Sequence, residues 1–461
     1  MFYTTNEGAT DFNQIGDAPF GNYSGQFAST FAAPFTNRAS GNSITNLFPA
    51  PPPVKGFSQK NPAHGSPYDN LAEFFTAFGT IGSSPAMYPK NQVPYAENYE
   101  LSIERQLTTS DLLTVSYVGT QGHKLLSSVS ANPGNPALCL SLAAEGCGPG
   151  GENNIYLRPD GTYALGTRAP FSGVLLPVGT SIGASPCAVG TNGGSCVLPN
   201  GQTAIIPFGN DSYFVTGAYS SYNSAEVSWK HTSNRSQFLL GYTFSKSLDN
   251  SSGYGEQFNP VNPRLSRGLS AFDSTHNFVV SYSYTLPFDK LDGPKKLTNG
   301  WQISGITRFA TGLPVTIVDN SDRSMLGTAF GGPITLDVDT PDLVGPLVKT
   351  DPRKTGGYFF NASAFGPAPL GTIGTADRRF FHGPGINNWD MALLKSTQLT
   401  ERLNLQFRAE LYNVFNHAQF LTPSGIITYN PTSLLPNPNS MGLVPGARDP
   451  RIGQLSLKLN F

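Results

Sequence analysis

The sequence predicts an all-β fold: an antiparallel transmembrane β-barrel segment of about nine or ten strands, an incomplete part of a larger barrel, with long external loops. Three observations predict it. Nine stretches alternate apolar and polar residues with period two, the pattern of a strand with one apolar and one polar face. The connections between them alternate between tight turns and long segments rich in Gly, Pro, Ser and Asn. Charged residues are only 13% of the 461, about half the share usual in soluble domains, while aromatics reach 11%.

Residues 1–96 form the first unit, mostly a long external segment. In it "YDNLAEFFTAFG" (68–79) offers a short helix, with Asp69 or Asn70 as cap and Leu71, Phe74, Phe75 and Phe78 at helical spacing. Residues 97–461 hold the strands. "NYELSIERQL" (98–107) sets Tyr99, Leu101, Ile103 and Leu107 on one face, and "LLTVSYVGT" (112–120) does so with Leu113, Val115 and Tyr117. "YNSAEVSWK" (222–230) uses Ala225, Val227 and Trp229, and "QFLLGYTFSKS" (237–247) uses Phe238, Leu240, Tyr242 and Phe244. "NFVVSYSYTL" (277–286) follows with Phe278, Val280, Tyr282 and Tyr284, then "WQISGITRF" (301–309) with Trp301, Ile303 and Phe309. "WDMALLKS" (389–396) presents Trp389, Met391 and Leu393. "LNLQFRAELYNVFN" (403–416) presents Leu403, Leu405, Phe407, Ala409 and Leu411. "QLSLKLNF" (454–461) presents Leu455, Leu457, Leu459 and Phe461.

"TTSD" (108–111), "TSNR" (232–235) and "QLTE" (398–401) are tight turns, and "PFDKLDGPKKLTNG" (287–300) is a medium connection. The long loops are 121–221, 248–276, 310–388 and 417–451. Compact soluble domains rarely carry several loops of that length. Short turns at one end and long loops at the other is the arrangement of outer-membrane barrels. Nine or ten residues at ~3.3 Å each, tilted ~45°, rise about 21–23 Å, close to the ~25 Å apolar band of such barrels. Rings at strand ends (Tyr99, Trp229, Trp301, Trp389, Tyr412, Phe461) suit the aromatic girdles at the two interfaces.

No stretch approaches 18 apolar residues, so no transmembrane helix is expected, and "MFYTTNEGAT" lacks the basic and apolar regions of a signal peptide. A net charge of −1 gives no reason to expect a nucleic-acid partner.

"PYAENYELSIERQL" followed by "TVSYVGTQGHKLL" resembles the first hairpin of the Oar-like TonB-dependent transporter barrels. "SYNSAEVSWKHTSNRSQFLLGYTFSKSLDNSS" is similar to that family's next hairpin, and "NPRLSRGLSAFDSTHNFVVSYSYTLPF" to its next strand with the preceding loop. "GWQISGITRFATGLPVTI", "FRAELYNVFNHAQF" and a last strand ending in Phe complete the series, and "FYTT" resembles the end of an upstream strand. The resemblance implies the C-terminal barrel portion of a larger transporter, with the plug and its TonB box outside this chain. It implies a TonB-type energy-coupling protein, the outer-membrane assembly machinery (read through Phe461) and membrane lipid as partners. The C-terminus would be periplasmic and the long loops extracellular, capturing an unidentified ligand. No covalent chemistry and no cofactor are expected. A surface adhesion barrel without transport is the alternative, and a secreted soluble β-sandwich hydrolase a weaker one.

Cys139, Cys147, Cys187 and Cys196 all lie in the longest loop. As two local pairs they close loops of nine and ten residues, each contributing ~2.5 kcal/mol on the chain-entropy model. Disulfides fit an oxidising exterior. Free thiols and a metal site are the alternatives, the latter opposed by the absence of CxxC spacing and of His within 124–230. "GTSIG" (179–183) matches a nucleophile-elbow pattern at Ser181, but "ASPCAVGTNGG" after it cannot open the required helix. The histidines at 64, 123, 231, 276, 382 and 417 are scattered, with no HExxH and no His–carboxylate cluster. His276, with Asp273 and Arg267, reads as rim or lumen structure. "DNSDRS" (319–324) and "DVDTPD" (337–342) lack the Gly and terminal Glu of an EF-hand loop and read as solvated acidic loops. The polar faces of the strands place Glu100, Glu104, Glu226, Lys230, Arg308, Asp390, Arg408 and Glu410 toward the lumen. There they form a solvated wall, or in part pair with a plug and line a substrate path.

Overall fold

The computed structural model describes residues 2–3, 85–168, 173–176, 178–179, 184–206, 209–327, 338–430, 433–436 and 441–461. The helix expected at 68–79 and Ser181 of "GTSIG" lie outside the described residues.

Nine long strands form one antiparallel sheet in sequence order: β1 (Tyr95–Gln106), β2 (Asp111–Ser130), β3 (Ser212–Thr232), β4 (Ser236–Asp249), β5 (His276–Thr285), β6 (Trp301–Ala310), β7 (Ile386–Gln398), β8 (Asn404–Tyr412) and β9 (Ile452–Asn460). A short strand, Phe2–Tyr3, pairs with Ala96 and Tyr95 at the start of β1. Among the described residues β1 and β9 share no ladder, so the sheet is open and the barrel incomplete.

The register gathers the alternating residues into rows. Tyr284, Ile303, Leu393, Ala409 and Leu455 lie in line across β5 to β9, and Leu113, Trp229, Leu240 and Val280 across β2 to β5. These rows make one apolar face, and it is bare: Leu101 is 67% exposed, Ile103 66%, Leu457 68% and Leu455 74%. A sandwich would bury this face against a second sheet. Trp229 is exposed on it, whereas Trp301 is half covered, because its indole N–H donates to the Leu297 carbonyl at 2.8 Å and the Lys395 ammonium sits 5.8 Å above its ring. Aromatics mark both rims of the band. Phe278, Phe309, Trp389 and Phe415 contact one another in sequence at the long-loop end, and Trp229, His231 and Phe238 do so at the short-turn end. Two glycines admit rings from the neighbouring strand: Tyr99 lies over Gly119 and Tyr282 over Gly305, each pair in register, leaving no room for a Cβ.

Two strands outrun the alternating stretches that announce them. β2 continues to Ser130 and β3 begins at Ser212, so the loop between them is 131–211 instead of 121–221. Twenty residues at ~3.3 Å and ~45° rise roughly 45 Å, far beyond a ~25 Å apolar band. Past the band the ladder runs in among the packed loops, where Ser127, Ser128 and Ser130 are buried, Ser127 donating to the Glu256 carbonyl and Ser130 to Asn210, and the apolar alternation stops.

The long loops are packed structure. Val315, Ile317, Phe360, Phe365, Phe381, Ile427 and Met441 form a core shared by the β6–β7 and β8–β9 loops. Ile155, Leu157, Leu198 and Ile206 form a second within the β2–β3 loop. Cys139, Leu142, Cys147 and Tyr156 enclose Met325, a β6–β7 loop residue, in a third. At roughly 1.5–3 kcal/mol for each large apolar side chain buried, these clusters make a cap with its own stability. The "solvated acidic loop" reading is corrected here: Asp319, Asp322 and Asp339 are buried. Their carboxylates accept from the backbone amides of Ser321, Gly150 and Ser324, so Asp319 caps its own turn while Asp322 and Asp339 tie separate segments of the packed loops together.

Candidate functional site

The polar face and the cap together are the part of the molecule able to meet a solute. A concavity of about 780 Å³ is lined by Lys230, Gln237, Ser283, Asp390, Arg408 and Glu410, among others. Four of the eight lumen-facing candidates therefore meet in one place, brought from β3, β7 and β8. Arg408 donates through Nε to Glu410 at 2.7 Å, two residues on and on the same face, and Asp390 accepts from the Asn413 amide at 2.8 Å. Glu226 lines a smaller hollow of about 350 Å³ with Thr114, Ser116 and Thr243. Glu104, weakly bonded to Thr114 at 3.5 Å, and Arg308, whose Nε donates to Asn277 at 3.2 Å, line neither. The wall thus presents both signs of charge and many hydroxyls, suited to a polar solute and to no single charge type.

Above the wall, a buried ion network ties the β6–β7 loop to the end of β4. Arg378 bridges Asp249 and Glu256 at 2.9 Å each, and Arg379 meets Glu256 at 2.5 Å. All four side chains are nearly inaccessible. Burial pulls the Arg378 guanidinium below its ordinary value, and the two carboxylates oppose that pull. Nearby, Asp273 accepts from His382 at 2.7 Å and from the Ser247 amide at 2.6 Å. His276 instead bonds Tyr242, 2.9 Å from its Nδ1. A third buried group joins the β2–β3 and β6–β7 loops. Burial, and the neighbouring Asp322 carboxylate, push the Glu152 carboxyl up to about 8, while Arg168 donates to the carbonyls of Asn132 and Gly327.

Cys139 is bonded to Cys147 and Cys187 to Cys196. The first bridge closes the core around Met325, and the second lies beside the core of Ile155 and Leu198. Phe461 ends β9's strand line fully exposed. Among the described residues no group of three or more His, Cys, Asp or Glu is placed to hold a metal ion.

Sequence reasoning missed the pairing of histidines with carboxylates. His231 meets Asp111 and His382 meets Asp273, each across more than a hundred residues. For the first pair a signal existed: once the hairpins are aligned, Asp111 and His231 fall opposite each other.

A family model described as outer membrane beta barrel domain matches residues 1–454. No curated protein matches the chain. Among solved structures, the outer membrane transporter YddB from Escherichia coli is 10% identical, with TM-score 0.36, covering 82% of this chain and 34% of its own. The FrpB iron transporter from Neisseria meningitidis is 11% identical, with TM-score 0.33, covering 82% of this chain and 33% of its own. The ferripyoverdine receptor of the Pseudomonas aeruginosa outer membrane is 11% identical, with TM-score 0.31, covering 80% and 27%. The chain spans about a third or less of the length of these structures.

Proposed function

The chain belongs to the outer membrane beta barrel domain family, and from that premise we propose that it supplies barrel wall and ligand-capturing cap to a TonB-dependent, Oar-like transporter. The observation that carries the proposal is the pairing of a charged, hydroxyl-rich wall with a densely packed cap at the long-loop end. A barrel that only adhered would have no use for a polar solute path beneath its loops. The run of family-like stretches, in family order along the whole chain, supports the same reading. In it the short turns and Phe461 face the periplasm, and the cap faces outward. The cap holds a scarce solute above the lumen, and energy coupled from the periplasm opens the way through a plug. No bond of the solute is made or broken.

The test is uptake in the bacterium that makes the protein. Cells with and without the gene are compared for accumulation of scarce solutes, before and after a protonophore collapses the energy supply. Accumulation that needs both the gene and the energised membrane supports transport. Surface attachment lost with the gene, with every uptake unchanged, supports adhesion and overturns the proposal.

A further inference from the structure

At the short-turn rim three side chains stand in a line that the transport reading does not use. Asp111 opens β2, His231 lies near the end of β3, and Ser236 opens β4. His231 Nδ1 is 2.8 Å from Asp111 Oδ1, and its Nε2 is 3.0 Å from Ser236 Oγ. The line is built by register and turn: Asp111 lies directly opposite His231, and the chain reversal at 232–235 returns Ser236 to the other side of the ring.

The acid is itself held. Thr108 Oγ1 donates to Asp111 Oδ2 at 2.6 Å, and Trp229 Nε1 donates to Oδ1 at 3.1 Å. A carboxylate fixed in this way accepts a hydrogen bond from the Nδ1–H of His231, which holds the tautomer whose Nε2 is free to accept from the serine hydroxyl. That order, hydroxyl to imidazole to carboxylate at hydrogen-bond distances, activates a serine nucleophile wherever it occurs, whatever the fold. Ser233 Oγ lies 2.7 Å from Ser236 Oγ and can donate to an oxygen developing negative charge there.

The location fixes the substrate class. His231 shares its face with Trp229 and Phe238, and Ser236 is in register with Tyr284 on that same bare apolar face. His231 and Asp111 remain partly open, at 22% and 20%. His231 also borders the polar concavity, but Asp111 and Ser236 do not line it, and a lipid would bring its ester to the rim with its acyl chain along the apolar band. We propose that Ser236, His231 and Asp111 form a serine-esterase site that cleaves acyl esters of membrane lipids at the short-turn rim.

Ser236 Oγ attacks the ester carbonyl and its proton passes to His231 Nε2. Collapse of the tetrahedral adduct breaks the ester C–O bond, and the leaving alcohol takes that proton. Water then attacks the acyl-serine, giving one proton to His231. The carboxylic acid leaves as the proton returns to Ser236. The net change is ester plus water to acid plus alcohol.

The experiment is labelling of the protein in outer-membrane vesicles with a fluorophosphonate probe, alongside turnover of a long-chain fluorogenic acyl ester. The expected result is one adduct, on Ser236. Labelling and turnover should fall about 100-fold or more in Ser236→Ala and His231→Gln, and at least about 10-fold in Asp111→Asn. Heat-modifiable migration of each variant reports an intact barrel. A folded wild-type barrel that gives no adduct on Ser236 overturns the proposal, as does labelling of Ser236 that His231→Gln leaves unchanged. If a variant fails to fold, the wild-type adduct alone decides.

Discussion

Arg379 is a side chain whose removal has a defined cost. Its guanidinium meets Glu256 in a site closed to water, and its carbonyl accepts from the Leu269 amide. Arg379→Met leaves the arginine's share of Glu256 charge uncompensated, and breaking a buried pair from one side costs about 3–5 kcal/mol. The cap of this variant should exchange the Leu269 amide proton orders of magnitude faster, read by mass-resolved hydrogen exchange. Exchange at the wild-type rate would mean that Arg378 alone holds Glu256. Glu152 sets a pH dependence of stated sign. Its carboxyl in the folded chain lies near 8, above the 4.5 of a free one. The folded state therefore holds the proton more tightly than the unfolded state does. Glu152's contribution to cap stability is full below about 4.5 and is lost as pH rises toward about 8. Exchange at the Gly150 and Gly327 amides, which both donate to Asp322, should accelerate across that window. Glu152→Gln should flatten the response, and an unchanged slope in that variant would remove Glu152 as its source.

At the level of the element, adjacent residues make the sharpest comparison. Val280 lies on the apolar face between Leu240 and Thr307, and Ser281 on the polar face between Leu239 and Ile306. Arginine at Val280 should cost about 2–4 kcal/mol in the bilayer, seen as lost heat-modifiable barrel. Ser281→Arg should assemble normally, and equal losses from both would mean that the two faces are not lipid and water. The disulfides belong to this scale too. Cys139→Ser with Cys147→Ser should lower cap stability by ~2.5 kcal/mol on the loop-entropy argument, and unreduced outer-membrane material should offer no alkylatable thiol. Four alkylated cysteines would remove both bridges. All nine strands were legible because lipid on one side and water on the other write an alternation into every one of them. The upper halves of β2 and β3 were not, because there the strands are covered by folded loops instead of lipid, and Ser127, Ser128 and Ser130 are buried against them. Nor was the cap: the apolar residues of its cores, such as Val315, Phe360 and Met441, come from separate loops and follow no period. Four charged residues that line the concavity, Lys230, Asp390, Arg408 and Glu410, sit at polar strand positions that the alternation marks, but the apolar residues that line it with them, such as Phe238 and Met391, carry no such mark. The ion network of Asp249, Glu256, Arg378 and Arg379 was not, because its members are joined only by how the loops fold.

For the whole molecule, the open sheet sets the terms. An unpaired strand edge in hydrocarbon leaves backbone groups unsatisfied at several kcal/mol each. In a membrane the edge of β9, and that of β1 beyond its pairing with Phe2–Tyr3, which have no partner among the described residues, must therefore be paired. Phe461 ends the strand that carries one of those edges. Its deletion should reduce the amount of assembled barrel in the outer membrane without altering ligand binding by whatever assembles, and an unchanged yield would exclude a role for it in insertion. The molecule also obeys two solvents with opposite preferences. The cap keeps its apolar groups inside, as any protein in water does, while the wall turns its apolar groups outward. One set of instructions can be carried out in an aqueous compartment, and the other only after lipid arrives. Both oxidised bridges lie among the residues that follow the rule of water, so the chain draws its own waterline between cap and wall.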